Sequence, residues 1–213
     1  MKLYDYILSG SCYKVRLMLN ILGVEYETVP VDFYPGLEHK KPEFLALNPL
    51  GQLPVLEDDG LVLRDAQSIL LYLASKYDDS KTWFPDDPAT RGQVAMWTAF
   101  GGGEIMAASA ARLHDVLNYP FDIDQQRQSA HIAFTILDDH LAEQENQGLD
   151  WLAGSTPTIA DIACFPYVAL SEDGGIPRDE YPAIERWLTR VMRLEGFMDM
   201  PGILQPWSGE QAS

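Results

Sequence analysis

Cysteine is scarce: the 213 residues contain two, Cys12 and Cys164. Two thiols so far apart offer neither a disulfide framework nor a Cys-x-x-Cys pair, and they suit a reducing compartment. Four isolated histidines with no His-x-x-x-His pattern argue against a metal site. No apolar run approaches the roughly 20 residues that cross a bilayer, and residues 1–5 lack the pattern of a secretory leader. Positive charge is also short, with 15 Lys/Arg against 32 Asp/Glu and a net charge of −17. Such a chain is repelled by nucleic-acid phosphates and by anionic membrane surfaces. These deficits describe a metal-free cytoplasmic protein with no nucleic-acid or membrane partner.

What charge there is lies unevenly. Residues 1–78 hold 7 Lys/Arg against 11 Asp/Glu, a net of −4, whereas 79–213 hold 8 against 21, a net of −13. An anionic small ligand is better tolerated by the first part, where Lys14, Arg16, His39, Lys40 and Lys41 occur.

The same division shows in the periodicity. Residues 2–8 alternate as a strand, and 26–31 do so again with β-branched residues. Between them, 12–22 reads as a helix with Val15, Met18, Leu19 and Leu22 on one face and Gly23 as its stop. That order is long enough for a right-handed parallel crossover. Two apolar runs flank Asp58-Asp59-Gly60, a hairpin signal, and residues 66–77 follow as an amphipathic helix. The expected domain over 1–78 is therefore βαβ, an irregular segment and ββα, a small mixed sheet covered by helices.

A polar, proline-bearing linker over 79–88 leads to a second domain, 89–213, with helical patterns and no convincing strand. One long helical pattern runs over 90–116, broken by Gly101-Gly102-Gly103. Three glycines cost about 2–3 kcal/mol relative to alanine inside a helix, so a kink or a close backbone approach is expected there. A helix over 124–147 carries apolar Ile132, Ile136 and Leu137. Thr158-Ile159-Ala160-Asp161 has the form of a capping box that opens a third helix, and Pro182 starts a fourth.

The most informative run is Asn48-Pro49-Leu50-Gly51-Gln52-Leu53-Pro54-Val55-Leu56. Pro54 stands where a strand should begin and cannot donate to a ladder. An X-Pro bond directly after a glycine-bearing turn is a place for a cis peptide. A cis Leu53-Pro54 bond would leave the Leu53 N–H and C=O as a free edge for a peptide-like ligand. An ordinary strand-entry proline is the plainer reading of this run taken alone.

Together with Ser9-Gly10-Ser11-Cys12-Tyr13-Lys14-Val15-Arg16, Asp65-Ala66-Gln67-Ser68-Ile69 and Ser155-Thr156-Pro157-Thr158-Ile159-Ala160-Asp161-Ile162, that run resembles the cytosolic glutathione transferases over essentially the whole chain. The resemblance implies a thioredoxin-like domain followed by an all-helical one, a homodimer, and glutathione as co-substrate with no metal. It implies that Pro54 is cis, that Leu53 pairs through its backbone with the cysteinyl part of glutathione, and that Gln67-Ser68 hold the γ-glutamyl carboxylate at a helix N-terminus. Gln52 would contact the glycyl end, with Lys40 nearby. Many members carry Glu where this chain has Gln67.

In such a protein the thiolate is the nucleophile, and an ordinary thiol near pKa 8.5 is only a few per cent ionised at neutral pH. Lowering that value by about two units needs roughly 2.7 kcal/mol. One hydrogen bond to the charged form supplies about 1.5–3 kcal/mol, and a helix N-terminus adds about 0.3–1. Ser9 matches the serine-type position and is the expected catalytic hydroxyl. Ser11, as a second donor, and Cys12, as a redox thiol at the helix start, are its rivals. The second substrate would meet Met106, Ser109 and Arg112. The expected activity is conjugation of glutathione to an apolar electrophile, a detoxification reaction; glutathione-dependent peroxide or disulfide reduction and a non-catalytic glutathione-binding role are the alternatives.

Overall fold

The computed structural model describes residues 1–201, so the last part of the expected helical domain lies outside the described residues. Strand β1 (Lys2–Asp5), helix α1 (Gly10–Ile21) and strand β2 (Glu27–Pro30) form the expected crossover, with β1 and β2 parallel. A short 3-10 turn over Glu38–Lys40 and helix α2 (Pro42–Leu47) occupy the segment expected to be irregular. Strands β3 (Val55–Asp58) and β4 (Leu61–Arg64) make an antiparallel hairpin, closed by Asp59 and Gly60 at φ of 50° and 83°. Helix α3 (Ala66–Tyr77) follows, and the sheet order is β2-β1-β3-β4.

Two boundaries differ from the periodicity. The first strand ends at Asp5 because a tight turn follows, in which the Ser9 N–H donates to the Tyr6 carbonyl. α1 then starts at Gly10, two residues early, because the Ser9 hydroxyl caps it. The helix is buried all round rather than on one face, since α3 and a helix of the second half cover it. The hairpin is tied to α3 through Asp58, which accepts from the Tyr72 hydroxyl at 2.7 Å, Lys76 Nζ at 2.7 Å and the Tyr77 hydroxyl at 2.5 Å. Burial pushes the Asp58 carboxyl up, but these donors outweigh it and hold the group at about 2.

The second half contains α4 (Pro88–Gly102), α5 (Met106–Leu117), α6 (Ile123–Asn146), α7 (Ile159–Ala169) and α8 (Pro182–Met192). The long pattern over 90–116 is thus two helices, parted at the glycines. A Cβ at Gly101 would lie 2.7 Å from the backbone of Ala163, so α4 and α7 touch main chain to main chain there. A Cβ at Gly102 would lie 2.5 Å from the Gln67 side chain. Gly101 thus brings the α4 backbone against that of α7, and Gly102 brings it against the Gln67 side chain.

On α6 the core face is Ala130, Ala133, Phe134, Leu137 and Leu141, whereas Ile132 and Ile136 are exposed. Of the three apolar residues read on this helix, helical phase turns only Leu137 to the core. α7 is buried along its whole length and opens on the expected capping box. Asp161 accepts from the N–H groups of Thr158 at 2.9 Å and Leu152 at 3.1 Å, and from Trp187 Nε1 at 2.9 Å. One buried core runs from Leu3 on the sheet through Tyr13 and Phe165 to Trp187.

Candidate functional site

A cleft of about 830 Å³ opens between the sheet half and helices α4, α5 and α7, a size typical of small-molecule sites. Its floor is the loop between β1 and α1. Arg16 forms a buried ion pair with Asp5 and donates from Nη2 to the Ile7 carbonyl at 3.0 Å, which fixes the course of residues 6–9. Ser9 then reaches its N-cap geometry, φ −84° and ψ 118°, and its Oγ accepts from the Cys12 N–H at 3.2 Å. Because Ser9 Oγ accepts there, its own proton stays available to donate.

Ser11 and Cys12, the rivals of Ser9, meet different fates. Ser11 lines the cleft, and both its N–H and its Oγ lie 3.0 Å from the Tyr167 hydroxyl on α7. Cys12 is fully buried and is not part of the cleft lining. Burial, and then the Asp5 charge, push its thiol up to about 12. Desolvation overrides the helix N-terminus at Cys12, so no thiolate forms there near neutral pH. Cys164 is equally buried, its thiol donating to the Trp97 carbonyl at 3.3 Å.

One wall is the turn before β3. The Leu53-Pro54 bond is cis, as is Tyr34-Pro35. Among the described residues neither the N–H nor the C=O of Leu53 has a hydrogen-bond partner. The turn is braced by Asn48, whose Nδ2 donates to the Gln52 carbonyl at 2.8 Å, and by Lys40, whose Nζ donates to the Gly51 carbonyl at 3.2 Å. Lys40, Gln52, Leu53 and Pro54 all line the cleft.

The N-terminus of α3 makes the next edge, with Gln67 and Ser68 in the lining. Their side chains are engaged with the protein itself. The Ser68 hydroxyl donates to Asp65 Oδ1 at 3.0 Å; the Gln67 amide, oriented to satisfy both its ends, donates to Asp65 Oδ2 at 3.1 Å and accepts from the Gly102 N–H at 3.2 Å. The N–H groups of Ala66 and Gln67 are left free among the described residues. Asp65 caps the helix from a φ of 137°, a strained backbone for any residue but glycine. It sets a carboxylate beside two free N–H donors, so this end of the cleft offers partners for both charges of an amino-acid head.

The far wall is α5. Met106, Ser109 and Arg112 line it. Arg112 donates from Nε to Asp173 at 2.9 Å and from Nη1 to the Leu8 carbonyl at 2.9 Å, which ties the helical half to the loop that carries Ser9. Opposite stand rings that the sequence did not single out. Phe33 stacks on His39 at 4.1 Å and lies parallel to Tyr119 at 6.4 Å. His39 is buried, its Nδ1 has no partner among the described residues, and burial, then the Lys40 charge, lower its pKa.

Tyr167, Phe33 and Tyr119 escaped the sequence reading, and Asp65 entered it only as the first residue of the Asp65–Ile69 run, without a role. Only Asp65 left a signal, as an acid three residues ahead of Ser68 at a helix start. Tyr167 sits in an apolar buried helix and looks like core.

Residues 3–81 match the model for the glutathione S-transferase N-terminal domain, and residues 107–190 match that for its C-terminal domain. The chain is 32% identical to maleylacetoacetate isomerase of Pseudomonas aeruginosa over 192 residues, 87% of this chain and 88% of the relative. A crystal structure of a glutathione S-transferase from Pseudomonas fluorescens superposes with a TM-score of 0.85 at 31% identity, covering 94% of this chain and 98% of that one. Yeast Ure2p in complex with glutathione is similar at a TM-score of 0.81 and 27% identity, covering 92% and 95%.

Proposed function

Because the chain belongs to the glutathione S-transferase family, we propose that it binds glutathione in this cleft, stabilises the thiolate through Ser9 and delivers the sulfur to an apolar electrophile. The observation that carries the proposal is the free Leu53 backbone edge, which shares one cleft with the Ser9 hydroxyl. Leu53 would pair with the cysteinyl unit as a strand edge pairs with a peptide. The α-carboxylate of the γ-glutamyl unit would meet the Ala66 and Gln67 N–H groups, and its ammonium the Asp65 carboxylate. Lys40 would face the glycyl carboxylate.

With the tripeptide so held, the Ser9 proton is the donor to sulfur, at a cap where the Gly10 N–H has no partner among the described residues. The thiolate then attacks an electrophile lying against Phe33, Met106 and Tyr119. His39 beside Phe33 is buried, and that burial lowers its pKa. The electrophile's leaving group departs with the bonding pair, or, in an addition, the pair is taken up by the acceptor and a proton follows from solvent.

The test is a titration of the thiolate absorbance of bound glutathione in the native protein and in Ser9→Ala. The native protein should show a thiol pKa roughly two units below that of free glutathione, and Ser9→Ala should recover at least one of them. An unshifted native value would refute thiolate activation. Aryl halides, peroxides and small disulfides, offered in turn, then separate conjugation from reduction.

A further inference from the structure

Tyr167 belongs to α7, in the helical half, yet its hydroxyl lies 3.0 Å from both the N–H and the Oγ of Ser11, on the helix that Ser9 caps. The approach is built into the sequence. A Cβ on Gly10 would lie 2.6 Å from Tyr167 Cε1, so only glycine at position 10 admits the ring. The buried Lys14 ammonium, held on the Gly101 carbonyl at 3.0 Å, lies 4.9 Å from the centre of the same ring. Gly10, Lys14 and Gly101 thus fix where the phenol can be.

The protons can be counted. The Tyr167 oxygen accepts from the Ser11 N–H, and the two hydroxyls share one hydrogen bond between them. Two hydroxyl protons serve that single bond, so one remains to donate. Either oxygen can be the donor in that bond; with the phenol as donor, the chain runs from Ser11 N–H to Tyr167 O–H to Ser11 O–H, and outward from there. Both residues line the cleft.

We propose that the thiolate receives a second hydrogen bond, from the Ser11 hydroxyl, and that Tyr167 is the positioning residue that aims it. The helical half then contributes to activating the thiol as well as to binding the electrophile. This rests on the reading of the cleft as a glutathione site, and the experiment separates the two.

The thiolate titration is repeated with Tyr167→Phe, which keeps the ring against Gly10 and Lys14, with Ser11→Ala, and with the double variant. Each single variant should raise the thiol pKa of bound glutathione by about half to one unit, a roughly three- to tenfold loss of thiolate at fixed pH below it. kcat for an aryl halide should fall by the same factor at low pH and return to the native value above the variant's own pKa. KM for glutathione should stay within about twofold. The double variant should match either single one, because the two hydroxyls act as one chain. Gly10→Ala, which keeps both hydroxyls but displaces the ring, should reproduce the shift.

An unchanged pKa in Tyr167→Phe, alongside a native shift that Ser9→Ala abolishes, overturns this inference and leaves the glutathione site standing. A loss of activity that is equal at every pH, with a lower melting temperature, reduces Tyr167 to packing and overturns it too. A native protein with no shift removes both readings.

Discussion

Lys14 carries an ammonium whose one hydrogen-bond acceptor among the described residues is the Gly101 carbonyl, and it is fully buried. Burial lowers its pKa from 10.5 to about 8. A folded-state value below the unfolded one means that the unfolded chain holds more protons between pH 8 and 10.5, so stability rises with pH across that window. The difference corresponds to about 3 kcal/mol. The native protein should therefore gain that much on Lys14→Met between pH 8 and 10.5, with no change in their difference below pH 7. Paired denaturant titrations at five pH values would read it, and a constant difference would contradict the burial of the charge. Cys12 illustrates the same force with the opposite sign: desolvation raises a thiol where it lowers an amine.

Between elements, the α4–α7 contact is main chain against main chain, and a pair of glycines on α4 tests it. Gly101 faces the Ala163 backbone, where a Cβ has no room, whereas a Cβ on Gly92 would meet nothing within 4 Å. Gly92→Ala should stabilise the protein by about 0.5–1 kcal/mol through helix propensity alone. Gly101→Ala gains the same propensity but must push α4 off α7, at about 1–3 kcal/mol, and moves the carbonyl that holds Lys14. Opposite signs in urea midpoints are expected. Stabilisation by both substitutions would mean that the two backbones do not touch.

Across the whole molecule, both thiols are fully buried, Cys164 in the core that joins the sheet to the helices and Cys12 in the first turn of α1. Burial drives both pKa values up, so modification requires opening of the fold rather than a local fluctuation of one side chain. Iodoacetamide should label neither cysteine at neutral pH on the timescale on which free glutathione reacts fully, and should label both in denaturant. Rapid labelling of Cys12 in the native protein would restore it as a reactive thiol. Arg112 works at the same scale: its bonds to Asp173 and to the Leu8 carbonyl make the loop under Ser9 depend on the helical half.

Local chemistry determined much of this protein. The alternation around Asp59-Gly60, the Thr158 capping box, the Gly23 stop and the awkward Pro54 each constrain the backbone within a few residues, so each was legible as a string and each stands in the structure. The bounds of α3 were legible for the same reason, an apolar face over one helical run. Long-range proximity was not. Nothing in Phe165-Pro166-Tyr167 says that its phenol will meet Ser11, 156 positions earlier. Nor does Gly102 announce that its N–H will satisfy Gln67. Cys12 at a helix start can be read as a redox thiol or as a buried structural one, and the tertiary fold decides for the second by removing its water. Contacts of that kind arise from how faces pack, and the same burial sets the direction in which the Cys12 and His39 pKa values move. The sequence alone determined the local backbone, including the free Leu53 edge; the tertiary structure alone decided which hydroxyls surround it and which thiols are silenced.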